Sequence, residues 1–177
     1  MNNGKYLSIL DEIKKHGGET NTSNPNEKVL IIDGLNTFIR VFSVIPTTNE
    51  DGIHIGGIVG FLKSVGYAVK MLAPTRTIIC FDGRGGSNRR RKLYPEYKAK
   101  RRTERIRLNR VNDFENIEDE RQSMMMQLSR CVEYLEKLPL SIMSIDNIEA
   151  DDAIGYAAKQ LLPKSNVVIM STDKDFL

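Results

Sequence analysis

Three apolar runs in the chain each end in an aspartate: Val29-Leu30-Ile31-Ile32-Asp33, Thr77-Ile78-Ile79-Cys80-Phe81-Asp82 and Val167-Val168-Ile169-Met170-Ser171-Thr172-Asp173. Asp175 follows two residues after the last of them, and Glu149-Ala150-Asp151-Asp152 opens an apolar-periodic stretch just before it. Carboxylates gathered at one place repel and resist ionising together, and a divalent cation relieves that cost; oxygen-only ligation suits Mg²⁺ or Mn²⁺. Phosphodiester hydrolysis is the chemistry such a cluster serves, because two neighbouring ions activate water, neutralise the phosphate and stabilise the leaving oxygen. The residues expected to hold them are Asp33, Asp82, Glu149, Asp152, Asp173 and Asp175, with Glu149 and Asp152 three apart on one helix face. By helix spacing alone Asp151 lies about 100° from Asp152 and is peripheral.

The positioning elements follow from the pattern around these acids. Short, β-branched, uninterrupted apolar runs separated by helical periodicity read as strands of a parallel sheet buried on both faces. Strands sharing one direction collect their terminal aspartates at one edge, where open α/β sheets bind ligands. Taken singly, each acid has a plainer reading: an Asp after a strand is usually a turn residue or helix cap, and acids in a first helical turn are favoured by the dipole. Their coincidence at one edge is what points to a metal site.

Charge is distributed unevenly. The chain has 26 Lys and Arg against 23 Asp and Glu, a formal net charge of +3. Twelve of the basic residues, with only Glu96 and Glu104 among them, fall between Arg84 and Arg110; the rest of the chain is acidic. An acidic body with one intensely basic segment calls for a polyanionic partner. Arg89, Arg90, Arg91, Lys92, Lys98, Lys100, Arg101 and Arg102 supply cations for phosphates, and Tyr94 and Tyr97 supply faces on which unpaired bases stack. Lys98 and Arg101, three apart, would address one scissile phosphate from a helix.

Residues 1–17 have the spacing of a short helix, and a polar stretch follows, so 1–25 reads as an appendage and 26–177 as the main domain. Helices are predicted from Asn36 to Ile45, along the stripe Ile58, Phe61, Leu62, Val65, Val69 and Leu72, from about Met124 to Leu138, and from Ala150 to Leu162. Leu140–Ile145 adds a further strand, and the segment 84–117 leaves the core. Cys80 and Cys131 sit in apolar patterns as buried reduced thiols, which fits a cytoplasmic protein. No run has membrane-spanning length. His54 has no partner at metal-ligand spacing and reads as structural or surface, and Met124-Met125-Met126 as core filling with exposed neighbours.

Six stretches together resemble the 5′ nuclease, or flap endonuclease, superfamily, including phage 5′→3′ exonucleases and the nuclease domain of bacterial DNA polymerase I. They are Asp33-Gly34-Leu35-Asn36, Gly57-Ile58-Val59-Gly60-Phe61-Leu62, Phe81-Asp82-Gly83, Arg91-Lys92-Leu93-Tyr94-Pro95-Glu96-Tyr97-Lys98-Ala99-Lys100-Arg101, Glu149-Ala150-Asp151-Asp152 and Ser171-Thr172-Asp173-Lys174-Asp175-Phe176. The resemblance implies a PIN-like (resolvase-like) α/β fold, a mostly parallel sheet flanked by helices with a basic helical arch at about 84–117. It also implies that all seven acids, Asp151 included, are metal ligands for two Mg²⁺ or Mn²⁺ ions, that Tyr97 stacks near the substrate, and that Lys98 and Arg101 act on the phosphate. Members usually continue into a duplex-gripping module, so this chain is expected to be incomplete, to cut duplex substrates poorly alone, and to need a separately encoded C-terminal piece or replication proteins.

The expected activity is therefore hydrolysis of DNA, or of RNA in RNA–DNA hybrids, near a 5′ end or flap, in the cytoplasm (a host's, if the chain is phage-encoded) and away from membranes. Two alternatives stand beside it: a PIN-type ribonuclease cutting single-stranded RNA, and a non-catalytic nucleic-acid-binding fragment.

Overall fold

The computed structural model describes residues 24–97, 107–112 and 114–176. The helix expected within residues 1–17, and Lys98, Lys100, Arg101 and Arg102, lie outside them.

Strand β1 (Lys28–Asp33) is followed by α1 (Gly34–Phe42) and α2 (Gly56–Leu72), then by β2 (Arg76–Asp82) and the short α3 (Asn88–Leu93). Helix α4 (Ile117–Leu135), strand β3 (Ser141–Ile145), helix α5 (Ala150–Tyr156) and strand β4 (Asn166–Met170) complete the order. The four strands form one sheet in the order β3-β2-β1-β4, and every pairing is parallel. Asp33 is in register with Cys80, and Asp82 with Ile145. All strands thus end at the same edge, which sets Asp33 and Asp82 there and carries the chain from β4 directly into Asp173.

The two faces of β1 are covered by different helices. Leu30 and Ile32, with Ile79, pack among Phe38, Phe42, Phe61, Cys131 and Leu135 from α1, α2 and α4. Val29 and Ile31, with Cys80, pack on Ala150, Ile154 and Ala157. Alternation at period two explains the division, and covering both faces explains why the run reads as unbroken apolar. Full burial of such side chains contributes about 1.5–3 kcal/mol each. Strand β4, at the edge, is only half-buried.

Several predicted boundaries move. Helix α1 spans Gly34–Phe42 rather than 36–45, because the Asp33 carboxylate accepts from the Asn36 N–H and caps it two residues early. Helix α4 starts at Ile117, well before the apolar stripe, where Asn116 Oδ1 accepts from the N–H groups of Glu118 and Asp119 at 2.8 and 2.9 Å. It ends at Leu135, and Leu138 is exposed. Val69, assigned to the core stripe of α2, is also exposed. Helix α5 widens into a π turn at Ala157–Leu161.

His54 is buried rather than on the surface. Its Nε2 lies 2.9 Å from the Ile45 carbonyl, and Gln127 Nε2 donates to the His54 carbonyl at 2.8 Å. Gln127 Oε1 accepts from the Gly57 N–H at 2.9 Å, so α4 supplies the N-terminal cap of α2. Cys80 and Cys131 are free and buried, and burial, joined for Cys80 by the charge of Asp33, pushes both thiols up to about 12. Among the described residues no helix is long and apolar enough to cross a membrane.

Candidate active site

At the end of β1, Asp33 is buried. One carboxylate oxygen takes the Asn36 N–H at 3.1 Å and the other the Ser171 hydroxyl at 3.1 Å. Asn36 in turn accepts from both the N–H and the hydroxyl of Thr172, at 3.0 and 2.8 Å. The turn after β4 is thereby tied to the start of α1, which brings Asp173 towards Asp33. Asp175, exposed in the 3₁₀ turn Lys174–Phe176, donates its backbone N–H to Asp173 Oδ1 at 3.2 Å. Asp82, at the end of β2, accepts from the Ala150 N–H at 2.8 Å and so anchors the first turn of α5, where a negative charge suits the helix dipole.

Burial raises the Asp33 carboxyl above its ordinary value, the bonds from Asn36 and Ser171 lower it, and the charges of Asp82 and Asp173 raise it again; the net direction is up. A carboxyl whose folded value exceeds its unfolded value opposes folding once ionised. Stability is lost as pH rises from the unfolded value through the folded one, and returns on acidification through that window. Asp33→Asn is therefore expected to raise the thermal midpoint of the metal-free protein at neutral pH, with the gain over wild type shrinking on acidification through the folded value and vanishing below the unfolded one. Paired melts in a chelator across pH check this, and a wild type more stable than the variant at neutral pH would contradict it.

A second group of acids surrounds α5. Glu149 is its N-cap residue, in extended conformation and buried, and Asp151 and Asp152 occupy the first turn. All three meet one guanidinium: Arg90 Nη1 lies 2.5 Å from Glu149 Oε2 and 2.9 Å from Asp151 Oδ2, and Nη2 lies 2.8 Å from Asp152 Oδ1. Helix spacing had set Asp151 aside. The structure brings it to the same cation as Glu149 and Asp152, because the two ends of the Arg90 fork span both acids, Nη1 reaching Asp151 and Nη2 Asp152. Tyr97 closes the cluster, its hydroxyl accepting from Arg90 Nη1 at 2.7 Å and donating to Glu149 Oε2 at 2.9 Å, with its ring centroid 5.5 Å from the guanidinium. Burial pulls the Arg90 guanidinium down, but its bonds to Tyr97, Asp151 and Asp152 and the charge of Asp151 outweigh that and push it up.

The basic segment reaches the acids through the turn at Gly83–Gly86. The Gly83 N–H donates to the Ile148 carbonyl at 3.0 Å and the Asn147 N–H to the Arg84 carbonyl at 2.9 Å. Helix α3 then carries Arg90 inward, while Arg89, Lys92 and Tyr94 are exposed and Arg91 turns back to the Ser87 hydroxyl. Residues 107–112 return to the body: the Arg110 N–H donates to the Ser43 carbonyl at 2.9 Å, and Asn109 Nδ2 to that of Phe42 at 2.5 Å. The sequence signalled cations here and gave Arg90 to nucleic acid; its place among the carboxylates has no local signature. Roles for Asn36 and Ser171 were also missed, although both lie inside the stretches that carry the resemblance.

Among the described residues no group of three or more His, Cys, Asp or Glu stands close enough to hold a metal ion in the present side-chain arrangement. The donor set still fits one. It is all carboxylate, two of its members are buried, and three already converge on a positive charge.

A parallel sheet with acids from four chain segments along its carboxyl edge defines a resolvase-like α/β domain with a carboxylate-rich site. Residues 28–177 match the family described as the 5′-3′ exonuclease N-terminal resolvase-like domain, and the chain belongs to that family. The Bacillus subtilis 5′-3′ exonuclease is 26% identical over 157 residues, covering 86% of this chain and 47% of that protein. The flap endonuclease Xni of a Shewanella species is 32% identical over 151 residues, covering 84% of this chain and 50% of its own. Among solved structures, the bacteriophage T5 flap endonuclease in a complex with DNA and metal ions superposes with a TM-score of 0.66 at 21% identity, over 85% of this chain and 50% of that one; it shares the fold. The chain thus spans about half the length of these relatives.

Proposed function

We propose that the protein is a divalent-metal-dependent 5′→3′ exonuclease or flap endonuclease that hydrolyses phosphodiester bonds of DNA near a 5′ end. The observation that carries this reading is the collection of Asp33, Asp82, Glu149, Asp151, Asp152 and Asp173 along one sheet edge, with α3 opening the basic segment directly over it. Membership of the exonuclease family and the DNA and metal ions held by the T5 enzyme support it. Asp33, Asp82, Glu149, Asp151, Asp152, Asp173 and Asp175 would hold the metal, two Mg²⁺ or Mn²⁺ ions, which when bound supply Lewis acidity and an activated water. Lys98 and Arg101 would bind the scissile phosphate, and the exposed Arg89, Lys92 and Tyr94 the strand leading to it.

Cleavage of a 5′-flap duplex, an RNA–DNA hybrid and single-stranded RNA, each with and without Mg²⁺, tests the reading. Metal-dependent cutting at the flap is expected, and a preference for single-stranded RNA overturns it in favour of a ribonuclease. Lys98→Ala should depress flap cleavage far more than Lys63→Ala, a control at an exposed position of α2. Affinity for the flap should fall steeply with added salt, as counterion release requires. Equal effects of the two substitutions, or a salt-insensitive complex, would count against the basic segment as the substrate grip.

A further inference from the structure

Nη1 of Arg90 carries two N–H bonds and faces three oxygens, those of Glu149, Asp151 and Tyr97, at 2.5–2.9 Å, while Nη2 takes Asp152. A planar fork cannot direct a bond at each of three oxygens converging on one of its nitrogens. A small divalent ion can, since carboxylate oxygens pack around it without directional constraint from a donor hydrogen. Charge argues the same way: a divalent ion brings twice the charge of the guanidinium to these carboxylates, and the two cations repel if both stay. Arg90 is moreover partly exposed, at 30%, so a path outward is open to it, whereas Glu149, at 5%, stays behind.

We propose that Arg90 is an exchangeable occupant of the cation place made by Glu149, Asp151 and Asp152, expelled when a divalent ion takes those carboxylates and drawing α3, which carries it, away from the body as it leaves. The inference rests on the metal-dependent reading above. Its physical content is competition. In the absence of metal, Arg90 holds the like-charged acids together and pins the foot of the basic segment over them. With metal bound, the same segment is released at the moment the site becomes able to act, and the guanidinium is freed for a phosphate, the anion class for which its fork is suited.

Calorimetric titration of the chain with MnCl₂, wild type against Arg90→Gln, tests the exchange. Removing the competitor is expected to tighten Mn²⁺ binding by about tenfold or more. Arg130→Gln, in the exposed pair with Glu133 on α4, should leave affinity unchanged. In a chelator Arg90→Gln should melt below wild type, and Mn²⁺ should close that gap. Hydrogen exchange on the wild-type protein provides a test that needs no variant: Mn²⁺ should speed exchange of the amides from Asn88 to Tyr97, except at Pro95. Equal or weaker Mn²⁺ affinity in Arg90→Gln, or exchange in that segment unchanged or slowed by Mn²⁺, overturns the exchange and leaves the metal site standing. Absence of Mn²⁺ binding in both proteins overturns the exchange and the metal-dependent reading together.

Discussion

Asp82→Asn should lower single-turnover cleavage of a 5′-flap duplex at saturating Mg²⁺ by at least about a hundredfold while leaving the thermal midpoint near that of wild type. The two halves of that expectation come from different properties of one side chain. Asp82 lies at the solvent end of β2, and its carboxylate accepts from the Ala150 N–H at 2.8 Å. The amide oxygen of an asparagine can keep that bond, so the first turn of α5 stays anchored. The amide cannot replace the negative charge that a divalent ion requires of its ligand. Asp152→Asn, on an exposed acid of the second group, should behave alike, since the proposed reading has both groups holding the ions. Unchanged rates in both variants, measured on cleavage-competent protein, would remove the carboxylates from the mechanism.

The strands were legible because a sheet covered on both faces leaves its mark in every residue: Val29 to Ile32 is apolar without alternation, and each side chain is buried. The edge was legible because Asp33, Asp82 and Asp173 sit at fixed distances from those runs and the strands are parallel. What was not legible depends on pairings distant in sequence. Arg90 meets Glu149 across 59 positions, and Gln127 meets the Gly57 N–H across 70. Neither pairing has a periodicity, and a run of arginines looks the same whether its members face phosphate or carboxylate. Local rules misled at helix starts for a related reason. Asn116 followed by Glu118, Asp119 and Glu120 is a cap with acids at the dipole's positive end, but the apolar stripe that locates a helix begins later, once α4 reaches the core. Asp151 was set aside for its angle from Asp152 on the helix, but one guanidinium fork spans both.

The other large effect expected is Gly83→Ala, and it tests the geometry beneath the acids. A Cβ at residue 83 would lie 1.7 Å from the Ile145 carbonyl oxygen, 2.3 Å from its carbon and 2.9 Å from the Asp146 nitrogen. These are backbone atoms, which cannot rotate aside as a side chain does. The ends of β2 and β3 must separate, breaking the register of Asp82 with Ile145 and the bond from the Gly83 N–H to the Ile148 carbonyl. Overpacking typically costs about 1–3 kcal/mol, and rigid backbone on the receiving side puts this site at or above the top of that range. Because Asp82 precedes Gly83, the shift also pulls its carboxylate from α5, so metal affinity should fall with stability. Gly66→Ala makes the opposite comparison with the same added methyl group. Gly66 lies inside α2 with nothing within 4 Å of the new Cβ, and the substitution should stabilise by about 0.4–1 kcal/mol through lost unfolded-state freedom. Denaturant unfolding of both variants reads the two signs directly. A Gly83→Ala protein as stable as wild type would mean that β2 and β3 do not close at this point, and the position of Asp82 over the first turn of α5 would fall with it.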